Sequence, residues 1–316
     1  MVPLKKKTKG IFEHIFYYSD DGKLFLVFSL CLSVIGMICN VIPYVSVYFI
    51  GKNFLISGDN NETIIFWIAI AGFAILLNLI FTFLGGLGCH KVAFKTLYTY
   101  RINIMKHLGK LPIGFFSKNT SGSIQKVMDE NIEKLESIVA HMLPDLIGSF
   151  VILLLLFLGI GYLNIVMAIT VLISVIIAFC FQYMIFGSEK AKGRYASYMQ
   201  ASTNITSSFS EYVKGMAEVK LFGKSGGMLK SLENHLDESL QWEITNYKKA
   251  SLPMSMYKSI ILSLLTFVVP VGGILILGNP TGDTVLAVIM TLIIVPALYE
   301  PLLTCVDYST QINLTK

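Results

Sequence analysis

Charge is scarce in this chain, and what there is gathers on one side of its apolar segments. Charged residues make up 14% of the 316 and apolar residues 54%, with a mean hydropathy of +0.67. Soluble domains carry roughly a quarter charged residues, so this poverty of charge excludes a water-bathed fold and makes the bilayer the solvent. Cysteine usage excludes more. Cys31, Cys39, Cys89, Cys180 and Cys305 are scattered, with no C-x-x-C spacing and no His partner. They read as small hydrophobes, not as a disulfide framework or a zinc site. His14, His90, His107, His141 and His235 do not cluster, so no metal centre is expected. A phosphate loop of the G-x-x-x-x-G-K-[ST] type is missing too. Gly223-Lys224-Ser225 imitates its end, but Glu218 holds the place of the first glycine. No ATP site and no catalytic residue are expected in this chain.

What the chain has in abundance is long apolar runs. A ~30 Å hydrocarbon core takes about 20 helical residues, and runs of that order lie at 24–50, 66–87, 143–163, 165–186, 252–277 and 285–303. The first is too long for the core of a signal peptide. If the spans alternate, Lys52 is the one Lys or Arg placed outside. That bias puts both ends in the cytoplasm of a multi-pass cell-membrane protein. The net charge of +5 is then a matter of lipid headgroups and gives no reason to expect nucleic acid. The preference for Lys over Arg suggests an AT-rich bacterial genome.

The loops are unequal. Outer connections are minimal, whereas the two inner ones run to about 55 and 65 residues yet keep apolar residues at helical spacing, which a long loop would not. In the first, Val92, Leu97, Tyr100, Ile104, Met105 and Leu108 alternate with Lys91, Lys95, Arg101, Lys106 and Lys110. The second span is therefore expected to continue as an amphipathic helix to a break at Pro112, roughly 69 Å in all. The fourth is expected to extend to about Ser208, and the fifth to begin near Met228. The expected fold is an all-α membrane protein of six long helices whose inner ends project into the cytoplasm.

Two segments at the tips of those projections carry a resemblance. Leu111-Pro112-Ile113-Gly114-Phe115-Phe116-Ser117-Lys118-Asn119-Thr120-Ser121-Gly122-Ser123-Ile124 resembles the first intracellular loop of ABC exporter membrane domains, L-P-x-x-F-F-x-x-x-x-[ST]-G-x-[IL]. Glu211-Tyr212-Val213-Lys214-Gly215-Met216-Ala217-Glu218-Val219-Lys220-Leu221-Phe222-Gly223 is similar to the second loop of that family, E-x-[LV]-x-G-[IM]-x-x-V-K-x-F-G. Pro112, Gly122 and Gly215 permit sharp turns, and Phe115, Phe116, Val219 and Phe222 offer apolar surface far from lipid. The resemblance implies two coupling helices that lie on nucleotide-binding domains, with Phe115, Phe116, Ser121, Gly122, Glu211, Gly215, Val219, Phe222 and Gly223 as the coupling residues. It also implies a second six-helix domain, identical or related. ATP and Mg are expected in the associated nucleotide-binding domain, which is in a longer form of this chain or a separate polypeptide. Ser117, Ser123, Val127 and Asn131 replace charged residues common in the family. The runs His141 to Asp145 and Tyr299 to Leu302 are similar to siderophore-handling members of the fold, some of which import.

Polar groups within spans are candidates for a transport pathway, because a charge at mid-bilayer is costly unless paired or wet. Lys258 and Glu300 each fall roughly 8 to 9 Å into the inner leaflet, where they could pair or face a substrate cavity. Asn78, Thr82, Gln182, Tyr257 and Tyr299 are further cavity candidates, each equally open to an interhelical role. Gly85, Gly86 and Gly88 suit close helix approach, and Pro43, Pro270 and Pro296 mark expected kinks, with Pro301 a further one beside Glu300. The expected function is alternating access for a small or amphipathic substrate, a siderophore among the candidates. A drug, lipid or peptide exporter of the same fold, a secondary transporter and a membrane scaffold remain open alternatives.

Overall fold

The computed structural model describes residues 22–57, 61–118, 132–186 and 226–314, with short pieces at 124, 128, 197, 204–205, 208–210, 212–216 and 220–221. Among the described residues every regular element is helical. The longer elements are α1 (Lys23–Lys52), α2 (Asn61–Leu108), α3 (Ile113–Lys118), α4 (Ile132–Ser137), α5 (Leu143–Leu163), α6 (Ile165–Phe186), α7 (Gly226–Leu262), α8 (Leu264–Gly278), α9 (Gly282–Ile294) and α10 (Tyr299–Leu314). Five helices, or six when Ser251–Leu262 and Leu264–Gly278 count as one bent span, are long and apolar enough to cross a bilayer.

The chain divides into two compact units, 1–168 with 271–308, and 169–270 with 309–316. In the first, α1 and α2 pair along a seam of small residues. A β-carbon added at Gly85 would stand 2.9 Å from both Ser29 O and Ser33 N, and one at Gly36 would stand 3.1 Å from Thr82 N. The backbones touch because nothing larger intervenes, the usual way for helices to gain packing energy in lipid, where no hydrophobic force joins them. Ser29 and Ser33 turn their hydroxyls onto their own helix, at Phe25 O (2.8 Å) and Ser29 O (3.2 Å). At one end of the pair Phe49 and Trp67 stack at 4.2 Å. Met37 of α1 lies against Gly148 of α5, and Leu286 of α9 against Gly51 of α1.

Single residues set several helix boundaries. Asn164 alone separates α5 from α6, and its Oδ1 accepts from Val166 N (2.9 Å) and Met167 N (3.3 Å), capping the second helix. Thr281 caps α9 by accepting from Thr284 N. Pro144 has no N–H and crowds the carbonyl four residues back. The chain widens there to a π turn over Ile138–Met142, in which Leu143 N–H reaches Ile138 O.

Proline behaves differently from expectation at three positions. Helix α1 runs unbroken through Pro43. The expected single helix over 252–277 is bent by 43° between α7 and α8, at Ser263, ahead of Pro270. Pro301 lies in the first turn of α10, where a missing N–H costs nothing. The interruption of the last apolar run is instead a 3₁₀ turn over Val295–Leu298, which includes Pro296.

In the second unit Val171, Ser174, Ala178 and Gln182 form a buried stripe on α6, and Tyr257, Ile261, Leu264 and Val268 form one on α7 and α8. The spacing of three to four residues is that of one helix face. Phe179 meets Tyr257 edge-on at 5.9 Å.

Candidate coupling tip and transport pathway

The 48 residues of α2 correspond to about 72 Å at 1.5 Å per residue, more than twice the hydrocarbon thickness. Its length follows from its composition: no proline interrupts it, Glu62 opens it and Lys106 and His107 close it, in accord with the helix dipole. It ends in tightened turns, with Lys110 N donating to His107 O (2.9 Å) and Leu111 N to Leu108 O (3.1 Å). Pro112 then stops the ladder, and α3 starts with Phe115 N bonded to Pro112 O.

This short helix is the tip. Ile113 is 87% exposed and Phe116 46%, and Phe115, half-buried, meets Phe116 edge to face at 5.4 Å. Nothing lies within 4 Å of a β-carbon placed on Gly114. This helix of six residues thus turns two apolar side chains, Ile113 and Phe116, outward. Of the other expected coupling residues, Gly215 lies in the helical piece 212–216 and is half-buried. Val213 and Leu221 beside it are exposed. Ser121, Gly122, Glu211, Val219, Phe222 and Gly223 lie outside the described residues.

The pathway candidates separate. Asn78 and Thr82 lie on the α1–α2 seam, where Asn78 Nδ2 donates to Gly36 O at 2.7 Å. The amide is thus engaged in helix pairing. Tyr299 and Glu300 open α10: Tyr299 has its hydroxyl buried without a partner among the described residues, and Glu300 is exposed. In the second unit Tyr257 is buried and Lys258 next to it exposed, while Gln182 is 7% exposed and its Nε2 has no partner among the described residues. An orphan donor in a membrane-spanning helix is expensive.

Two connections were not anticipated. Tyr308 Oη on α10 donates to Asp145 Oδ2 on α5 at 2.6 Å, so Asp145 serves that tyrosine and not His141, one helical turn away. Ser29 and Ser33 supply the small surface opposite Gly85 and Gly88, and their spacing of four residues was the available signal. No group of three or more His, Cys, Asp or Glu suited to a metal occurs among the described residues.

The chain resembles, at 25% identity over 153 residues, the mycobactin import ATP-binding/permease protein IrtA of Mycolicibacterium smegmatis; the match covers 47% of this chain and 17% of that protein. The family model for the ABC transporter transmembrane region matches residues 26–297. With its described residues helical and five or six helices long and apolar enough to span a bilayer, the chain belongs to the ABC transporter transmembrane region family.

Proposed function

We propose that this chain is the membrane half of an ATP-driven transporter that gives alternating access to a small or amphipathic substrate of siderophore type. The observation that carries the reading is α2 with its tip: a helix too long for the bilayer, ending in exposed Ile113 and Phe116. The partner is a nucleotide-binding domain that hydrolyses ATP with Mg and presses on the tips. A second six-helix domain completes the translocation path, and the basic ends of the helices face the cytoplasm. Tyr299 and Glu300 in the first unit, and separately Gln182, Tyr257 and Lys258 in the second, are the polar groups this reading assigns to substrate handling, since a bilayer tolerates such groups where water or substrate meets them. The substrate class is supported by the named relative and by the runs at His141 to Asp145 and Tyr299 to Leu302.

The test is ATP turnover and substrate accumulation by the full-length gene product, with its ATPase, in lipid vesicles supplied with metal-loaded and metal-free siderophores. Stimulation by one of them is expected, with the sign of accumulation giving the direction. Glu300→Gln is expected to abolish stimulation while basal turnover persists. Phe115→Ala with Phe116→Ala is expected to uncouple hydrolysis from transport. ATP turnover indifferent to every siderophore would overturn the substrate class, and intact coupling in the double variant would overturn the role of the tip.

A further inference from the structure

The transporter reading leaves one cluster of titratable side chains unused. His90 on α2, Glu136 on α4 and His141 in the π turn between α4 and α5 meet within the first unit. His90 Nδ1 stands 3.8 Å from Glu136 Oε1, and the two imidazoles meet edge to face with 4.8 Å between centroids. The side chains of His90 and Glu136 are 35% and 30% exposed, so the pair is neither sealed within the protein nor fully open. The segment they fasten lacks a regular ladder, since Pro144 gives no N–H and Leu143 N–H skips to Ile138 O. Such a turn depends on its side chains for its hold, and it leads directly into α5.

We propose that His90, Glu136 and His141 form a proton-operated clasp, closed when one imidazole is charged and sprung when both are. One imidazolium between the rings is attracted by Glu136 and draws α4 and the π turn onto α2. A second proton sets two like charges side by side, with Glu136 the one carboxylate within ion-pair distance of His90. Other charges stand nearby, and of these Asp145 is close enough to act on Cys89, beside His90, and so to offset part of the second charge. Lys91 on α2 sits over the Phe25 ring of α1 at 5.4 Å, and Arg101 on α2 faces Glu133 of α4 at 3.9 Å. Asp145 of α5 accepts from Tyr308 of α10, and Cys89, beside His90, is buried. Histidine is the side chain whose charge changes between about pH 5 and 8, so the clasp works in a range that a cell can reach.

The test is hydrogen exchange of the full chain in lipid nanodiscs, corrected for the intrinsic pH dependence of exchange and read over 132–142 from about pH 5 to pH 8. Protection is expected to peak in the middle of this range and to fall about threefold at the acid end, the size of a partly exposed charge pair. His141→Gln and His90→Gln should each remove the acid fall, and Glu136→Gln should lower the peak. His107→Gln, on the same helix outside the cluster, should leave the profile as it was. A wild-type profile flat across the range, or an acid fall that survives both His90→Gln and His141→Gln, would overturn the clasp. Exchange requires no ATP turnover, so this outcome is independent of the transporter test.

Discussion

Two helical runs of this chain are of comparable length and behave in opposite ways. The 61–108 run is one uninterrupted helix, whereas the 226–278 run is divided at Ser263 and bent by 43° there. The first has no proline and is pressed against α1 through glycine and serine. The second contains Pro253 and Pro270 and buries large side chains such as Tyr257 and Ile261. Close backbone contact resists bending because neighbouring turns cannot move apart without opening a void. A proline-bearing helix packed through long side chains has an unsatisfied carbonyl and neighbours that can change rotamer. Residue size thus separates the straight run from the bent one.

The comparison breaks most severely at Gly85. Gly85→Leu drives a side chain into Ser29 O and Ser33 N, backbone atoms that cannot rotate away, and is expected to cost about 3 kcal/mol, the upper end of overpacking. Gly86→Leu, one residue along with nothing within 4 Å of its β-carbon, should cost nothing measurable. The midpoints of thermal unfolding in nanodiscs decide it. Equal losses would mean that the seam is not what holds α2 straight.

These features were unequally legible in the sequence. The length of α2 could be read, because Lys and Arg alternate with apolar residues past the hydrocarbon core and Pro112 gives a stop. Gly85 and Gly88 announced a close approach, but not to Ser29 and Ser33, since pairing across more than 50 positions leaves no local trace. For the same reason Tyr308 and Asp145, 163 residues apart, were not linked. The tip helix could be read from its motif, whereas the bend at Ser263 could not. It lies within an evenly apolar run, and the proline that suggested a hinge is Pro270. Asn78, as a polar group in a span, was equally open to a pathway or an interhelical role, and its amide bonds Gly36 O.

Asn78 and Gln182 sharpen the contrast at intermediate size. Asn78→Leu removes the donor to Gly36 O and should lower stability by about 1 kcal/mol, as interhelical hydrogen bonds in membranes do. Gln182→Leu removes a buried donor with no partner among the described residues and should be neutral or stabilising, since no bond seen there is lost and a desolvated amide is removed. Unfolding of both variants in nanodiscs measures the difference. A loss at Gln182 equal to that at Asn78 would show that its amide is satisfied in the folded protein and would withdraw it from the pathway. Retained stability together with lost substrate stimulation would place it there.

The smallest effect is expected at the joint itself. Pro270→Ala restores an N–H able to donate to Thr266 O, four residues back, and relieves the crowding of that carbonyl by the ring. In the native chain Thr266 N reaches Ser263 O in a tightened turn and Ser263 N bonds Ser259 O, so the ladder changes register there, one turn ahead of the proline. With the donor restored, amides over 263–267 should gain roughly threefold in protection against hydrogen exchange, in line with the modest stability changes that compatible proline substitutions produce. Protection unchanged in Pro270→Ala would assign the bend to the packing of Tyr257, Ile261 and Leu264. The contrast between the two runs would then rest on side-chain size alone, with proline incidental to it.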